Sequence, residues 1–311
     1  MRRSIQAITT ATIAGAMLAF GSGMAVAAPA PADADVDAFS VPASETAAAA
    51  SAWSPERMQA AVPADALVND EVGQLEQGAP DGAAVTAEGQ RPSLLATPAN
   101  PVAHIGKVFF TLGGVDYVCS ANSVASANGS TVATAGHCLN EGPGDFASEF
   151  IFVPAYDEGA APYGQWAATE LVAPTQWTAG GDINYDTGFA VVDGPGSATL
   201  AATVGSSSVA FNQSTGLGYT LYGYPAARPF DGETLQTCAG TSFADTIGGT
   251  DSQGVPCDMT GGSSGGPWFI GSGSGGTQNS VNSFGYNAQS GVMYGPYWGS
   301  VIQGAYQEAQ G

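Results

Sequence analysis

Two short runs hold side chains that can do chemistry together. Thr260-Gly261-Gly262-Ser263-Ser264-Gly265-Gly266-Pro267 sets a serine among glycines. Thr134-Ala135-Gly136-His137-Cys138 sets a histidine at the end of an apolar stretch. A serine hydroxyl is a weak nucleophile at neutral pH and needs a base beside it. Imidazole can take its proton, and a carboxylate can orient that imidazole and stabilise its charged form. Ser264 is therefore the candidate nucleophile and His137 the candidate base. The glycines let the backbone turn tightly and let a substrate come close. They also leave the amides of Gly262 and Ser264 free to converge on one oxyanion. The bland alternative is a flexible Gly/Ser linker. The bulky stretch Pro267-Trp268-Phe269-Ile270 directly after it argues against that. His104 and His137 are the two histidines, and they lack zinc-ligand spacing, so neither a metal nor another cofactor is expected.

These two runs, with Tyr117-Val118-Cys119-Ser120 upstream of the histidine, resemble the chymotrypsin-like serine peptidases. Within that family they look most like the secreted bacterial branch that includes the glutamyl-endopeptidase-type enzymes. The resemblance spans roughly residues 103–311. It implies an all-β fold of two six-stranded antiparallel β-barrels with a short C-terminal helix. It implies peptide-bond hydrolysis through an acyl-enzyme, with a protein or peptide as substrate. It also implies a carboxylate between His137 and Ser264 in chain order. Asp186 fits, because Phe189-Ala190-Val191-Val192 follows it at once. Asp182 is the rival and lacks a strand directly after it. Ser283-Phe284-Gly285 resembles the strand that pairs with the substrate backbone. Asn282 stands where glutamyl-specific relatives commonly have histidine. Counting back from Ser264 puts Asp258 at the base of the specificity pocket, where it would attract Lys or Arg. Cys257, however, is displaced from the family's usual cysteine position. The count crosses a different loop, and an Asp258 bonded to backbone is the favoured reading. The other reading of the whole chain is a catalytically idle relative that binds protein or cell-wall material.

Chain order removes two other serine-hydrolase layouts. Gly262-Ser263-Ser264-Gly265-Gly266 also fits the nucleophile elbow of α/β-hydrolases, but that fold needs its histidine after the serine. No histidine follows Ser264. The subtilisin order needs an acid before the histidine, which Asp116 supplies, but in an α/β body.

The elements that must position these residues read as strands. Val108–Leu112 and Val115–Cys119 flank Gly113-Gly114 and predict a hairpin. Ser130–Thr134, Phe150–Pro154, Phe189–Val192 and Thr220–Tyr224 continue the series, separated by Gly, Pro, Asn and Asp. Many short strands at such spacing predict a barrel or sandwich. A helical pattern shows only in Val301–Ala309. Four cysteines allow three connectivities. Pairing of sequence neighbours gives Cys119–Cys138 and Cys238–Cys257, each worth ~3 kcal/mol by loop closure.

The 311 residues carry a formal charge of −21, which disfavours nucleic acid and anionic membrane surfaces as partners. The expected state is a monomer. Residues 1–27 open with Met1-Arg2-Arg3, pass through an apolar stretch and end at Ala25-Val26-Ala27. That layout predicts a secretory signal peptide and an extracellular protein. Residues 28–100 hold 11 acids and 2 bases with faint periodicity. They are expected to be a pro-segment, or disordered unless ordered against a partner surface. The peptidase domain is expected over 101–311.

Overall fold

The computed structural model describes residues 35–68, 95–286 and 289–311. The expected signal peptide and residues 69–94 of the expected pro-segment lie outside the described residues.

The N-terminal segment folds into β1 (Val36–Ser40), α1 (Ala43–Ala52), α2 (Pro55–Ala60) and β2 (Val62–Pro63), ending in the 3-10 turn Ala64–Leu67. Ser54 caps α2 by accepting from the Arg57 N–H, and Pro55 at the first helical position suits a helix start. After the undescribed stretch the chain resumes and forms β3 (Thr97–Pro98).

The first half of the body is a closed barrel. Its strands are β4 (Ile105–Leu112), β5 (Val115–Val124), β6 (Thr131–Thr134), β7 (Ser148–Pro154), β8 (Trp166–Pro174) and β9 (Gly188–Asp193). They pair antiparallel around a ring β4-β5-β6-β9-β8-β7-β4, which leaves no open edge. The β4–β5 turn is Gly113-Gly114 at φ +55° and +80°. Two successive left-handed residues are what a tight hairpin turn demands, so glycine at both is a structural requirement. Phe110, Val132, Phe152, Leu171 and Phe189 fill the barrel. The C-terminal helix Ser300–Ala309 covers it through Ile302 and Ala305. Asn128 Nδ2 and Thr131 Oγ1 both donate to the Ala309 carbonyl, which satisfies a helix end otherwise without a partner.

The second half carries β10 (Ser208–Val209), β11 (Gly218–Gly223), β12 (Gln236–Thr241), β13 (Phe243–Ala244), β14 (Gln253–Pro256), β15 (Pro267–Ile270), β16 (Thr277–Val281) and β17 (Val292–Gly295). These form a six-stranded sheet, β10-β16-β15-β11-β12-β3, and a three-stranded sheet, β13-β14-β17. The second half thus pairs its strands in two sheets, whereas the first is one closed ring. Its two sheets share one core of Tyr219, Leu221, Val255, Trp268 and Met293, and the Cys238–Cys257 disulfide lies within it. In the first half, Cys119–Cys138 ties β5 to the turn that carries His137.

The N-terminal segment packs on the first barrel. β1 runs antiparallel to β8 on its outer side, and β2 runs parallel to β5 with Val62 opposite Tyr117. Trp53 is 2% exposed, and its indole N–H donates to the Glu149 carbonyl. Arg57 bonds Asp116 at 2.8 Å and Glu149 at 2.6 Å, and its guanidinium lies 4.0 Å from the Trp53 ring centroid.

Candidate active site

β6 ends at Thr134, and the chain turns at once into the 3-10 turn Gly136–Cys138. This turn, stapled by Cys138, sets His137 at the barrel rim with no exposed surface. The next turn on the neighbouring strand, Ile183–Tyr185, ends at Asp186 immediately before β9. Because β6 pairs with β9 through Thr134 opposite Gly188, the two turns meet.

Asp186 grips His137 twice. Its Oδ2 lies 2.8 Å from the ring Nδ1, and its Oδ1 accepts the His137 backbone N–H at 2.8 Å. The contact fixes the imidazole proton on Nδ1 and leaves Nε2 as the ring's acceptor. Nε2 is buried and has no hydrogen-bond partner among the described residues. The Ser283 hydroxyl adds a third bond to Asp186 Oδ2 at 2.5 Å. Burial alone would raise the Asp186 carboxyl. The adjacent His137 charge, the ring N–H, the Ser283 hydroxyl and the His137 backbone N–H outweigh it and hold the carboxyl below its ordinary value. Asp182 does not reach His137: it caps its own turn, accepting from the backbone N–H and the Nδ2 of Asn184.

Ser264 arrives from the other half. The loop before β15 holds Gly262 at φ +92° and Gly265 at +81°. At Gly262 a Cβ would come within 2.8 Å of the Ala226 side chain, and at Gly265 within 2.1 Å of Thr134 Oγ1. Both positions therefore require glycine for space as well as for φ. The loop is locked to the first half by Ser120, whose N–H donates to the Ser264 carbonyl and whose hydroxyl donates to the Gly262 carbonyl. Asn282 braces it from behind, donating to the carbonyls of Tyr222 and Ser263 and accepting from the Trp268 indole. The amides of Gly262 and Ser264 donate to no described residue. Both amides therefore keep donor capacity for a bound group.

A pocket of about 380 Å³ opens beside Ser264, walled by Asp258, Met259, Ser283, Phe284, Val292 and Met293. Gly285 also lines it, while Asn282 does not. Asp258 accepts the backbone N–H of Ala96 at 2.5 Å. Asp65 and Val68 from the N-terminal segment complete the lining.

Ser120 and Asn282 give no sequence signal for their bracing roles, which depend on side chains brought together from distant strands. The Ser283 hydroxyl on Asp186 was equally hidden, since the sequence presents that residue only as part of a substrate-pairing strand. Cys119, His137 and Cys138 have the spacing to hold a metal ion, but the two sulfurs are bonded to each other. They offer no thiolate, and the group does not fit a metal centre. Among the described residues no helix is long and apolar enough to cross a membrane.

No protein-family model matches the chain. It is 30% identical over 123 residues to a Bacillus subtilis (strain 168) protein named extracellular metalloprotease. The match covers 38% of this chain and spans about a third, 35%, of that relative. Among solved structures it resembles the protease Anisep from Arthrobacter nicotinovorans, with 60% identity and a TM-score of 0.68, covering 69% of this chain and 99% of that one. The thermostable serine protease AL20 from an extremophilic microorganism matches at 55% identity and a TM-score of 0.65, over 67% of this chain and 97% of its own. A Glu endopeptidase shares the fold at 19% identity and a TM-score of 0.55, covering 69% of this chain and 96% of that chain. With a closed antiparallel barrel and two neighbours above 50% identity over nearly their whole lengths, this chain belongs to the chymotrypsin-like serine proteases.

Proposed function

We propose that the protein hydrolyses peptide bonds with Ser264 as nucleophile, His137 as general base and Asp186 as the group that orients His137. The observation that carries this reading is the two-point grip of Asp186 on His137, which leaves Nε2 as the one ring nitrogen able to take a proton. As Ser264 Oγ attacks the carbonyl carbon, its proton passes to Nε2. The carbonyl oxygen becomes an oxyanion within reach of the Gly262 and Ser264 amides. Nε2 returns the proton to the departing amine, leaving an ester on Ser264. Water then repeats the cycle, giving its proton to Nε2 and releasing the acid. Ser283-Phe284-Gly285 holds the substrate backbone beside the pocket.

The setting of this chemistry is extracellular. The Arg-led apolar N-terminus over 1–27 and two disulfides in one domain both suit an oxidising compartment. In this reading residues 28–100 are a pro-segment and 101–311 the protease proper. The Anisep match covers 69% of this chain, about the share that residues 101–311 make up.

The test is Ser264→Ala on the body from Ala96 onward. Peptidase activity is expected to fall by about six orders of magnitude with the circular dichroism unchanged. Folded Ser264→Ala that still cleaves peptides at the parent rate would end the proposal.

A further inference from the structure

Residues 62–68 lie in the cleft itself. Val62–Pro63 pairs with Tyr117–Val118 of β5, next to the disulfide that staples the His137 turn. Ala64 has no exposed surface and joins the core of the first barrel. The 3-10 turn Ala64–Leu67 lies against the turn Gly136–Cys138. Asp65 sits on the oxyanion loop so closely that a Cβ at Gly261 would come within 1.9 Å of its carboxylate. Val68 is 1% exposed and belongs to one buried cluster with Trp177, Ile183, Phe284, Tyr286, Val292 and Tyr294. Asp65 and Val68 thus form part of the wall of the pocket that Ser264 and Ser283 also line. With this segment in place Ser264 is only 4% exposed.

The plug has an anchor outside the cleft. Trp53 is buried on the barrel wall, and Arg57 is held by Asp116 and Glu149. β1 adds five residues of ladder along β8. None of these contacts depends on the connection between Val68 and Leu95. While the chain is intact, tethering keeps the plug at high effective concentration.

We propose that residues 35–68 are an inhibitor of this protein's own cleft, so that cutting the chain between Val68 and Leu95 does not by itself open the site. The proposal rests on Ser264 being the nucleophile. The partner of the cleft surface is a named part of this chain: an anchor over residues 36–61 and a plug over residues 62–68. Release or digestion of that fragment is the activating event.

The test follows the rate at which a fluorophosphonate labels three forms: the intact chain, the chain cut after Val68 with the fragment still bound, and the body with the fragment removed. The first two are expected to label slowly, and the third at least about 100-fold faster. Val68→Asp, which breaks the plug, and Arg57→Glu, which breaks the anchor, are expected to speed labelling of the cut form by at least about tenfold. Equal labelling of the intact chain and the free body would overturn the proposal, as would full reactivity immediately on cutting. If the free body does not label at all, it is the Ser264 assignment that fails. Occupancy of the cleft is then decided by binding of a synthetic peptide of residues 35–68 to the free body, followed by Trp53 fluorescence. Binding weakened by Val68→Asp in the peptide supports the plug, and binding indifferent to it refutes the plug.

Discussion

The two halves of the body contribute opposite kinds of structure to the cleft. The first half presents His137 and Asp186, both without exposed surface, joined by two hydrogen bonds. The second half presents a glycine loop at positive φ, whose Gly262 and Ser264 amides donate to no described residue. A carboxylate can stay charged in a dry interior only where several donors reach it. In the proposed mechanism the nucleophile and the oxyanion site need the reverse, groups left unbonded but held still. The rigid closed barrel suits the first task. The loop, braced by Ser120 and Asn282, suits the second. Among the described residues the Ser283 hydroxyl is the one side chain of the second half that bonds Asp186, and it ties the two halves together.

The largest way to break this division is Asp186→Asn. The amide keeps the shape but cannot hold the Nδ1 proton, so Nε2 loses its role as acceptor. Turnover is expected to fall by about four orders of magnitude with little change in KM, measured on a chromogenic peptide. A loss below tenfold would place the orienting group elsewhere.

Gly262→Ala attacks the other half. The new methyl meets the Ala226 side chain and the Tyr224 carbonyl at 2.8 and 2.9 Å, in a backbone conformation alanine resists. The loop must shift and carry the amide with it. A fall in kcat of about 100- to 1,000-fold is expected, with the His137–Asp186 pair undisturbed in the proton spectrum of the imidazole. If both change together, the halves are not independent in the way described.

A smaller effect sharpens the contrast within the first barrel. Lys107 is 2% exposed and has the Gly232 carbonyl at 2.9 Å and Glu233 at 4.0 Å. Burial outweighs the pull of Glu233 and Asp231 and pushes its pKa from 10.5 down to about 8. Unlike Asp186, this buried charge is incompletely compensated. Between pH 8 and 10.5 the unfolded chain binds a proton that the folded chain has released, so this lysine makes stability rise with pH there. Chemical denaturation at pH 7.5 and 9.5 should show that rise in the parent and a smaller one in Lys107→Met. Equal slopes would mean the ammonium is better solvated than its burial suggests.

Much of the fold was readable from the residues that make turns. Gly113-Gly114 fixed the hairpin, and the apolar runs before Thr134, Pro154 and Asp193 became β6, β7 and β9. β8 was not readable. Trp166-Ala-Ala-Thr-Glu-Leu-Val-Ala-Pro174 is poor in β-branched residues and takes its form from closing the ring between β7 and β9. Nor was the order in residues 35–68, whose Ala-rich run has faint periodicity. Its helices hold because Ala49, Trp53 and Met58 find a surface on the first barrel. In the site, the types and chain order of His137, Asp186 and Ser264 carried information. The contacts among Ser120, Asn282, Ser283 and Asp65 depend on distant strands, and no local pattern encodes them. Asp258 shows how far the count reaches: the favoured reading is a carboxylate bonded to backbone, and it accepts the Ala96 N–H while the residue also lines the pocket beside Ser264.

The central claim is that His137 activates Ser264. The most direct measurement is acid-quenched mass spectrometry of the free body mixed with p-nitrophenyl acetate. The account predicts an acetyl group on the peptide carrying Ser264 in the parent, and none in His137→Ala or Ser264→Ala. Acetylation of Ser264 at the same rate in His137→Ala, or of another residue in the parent, would contradict it.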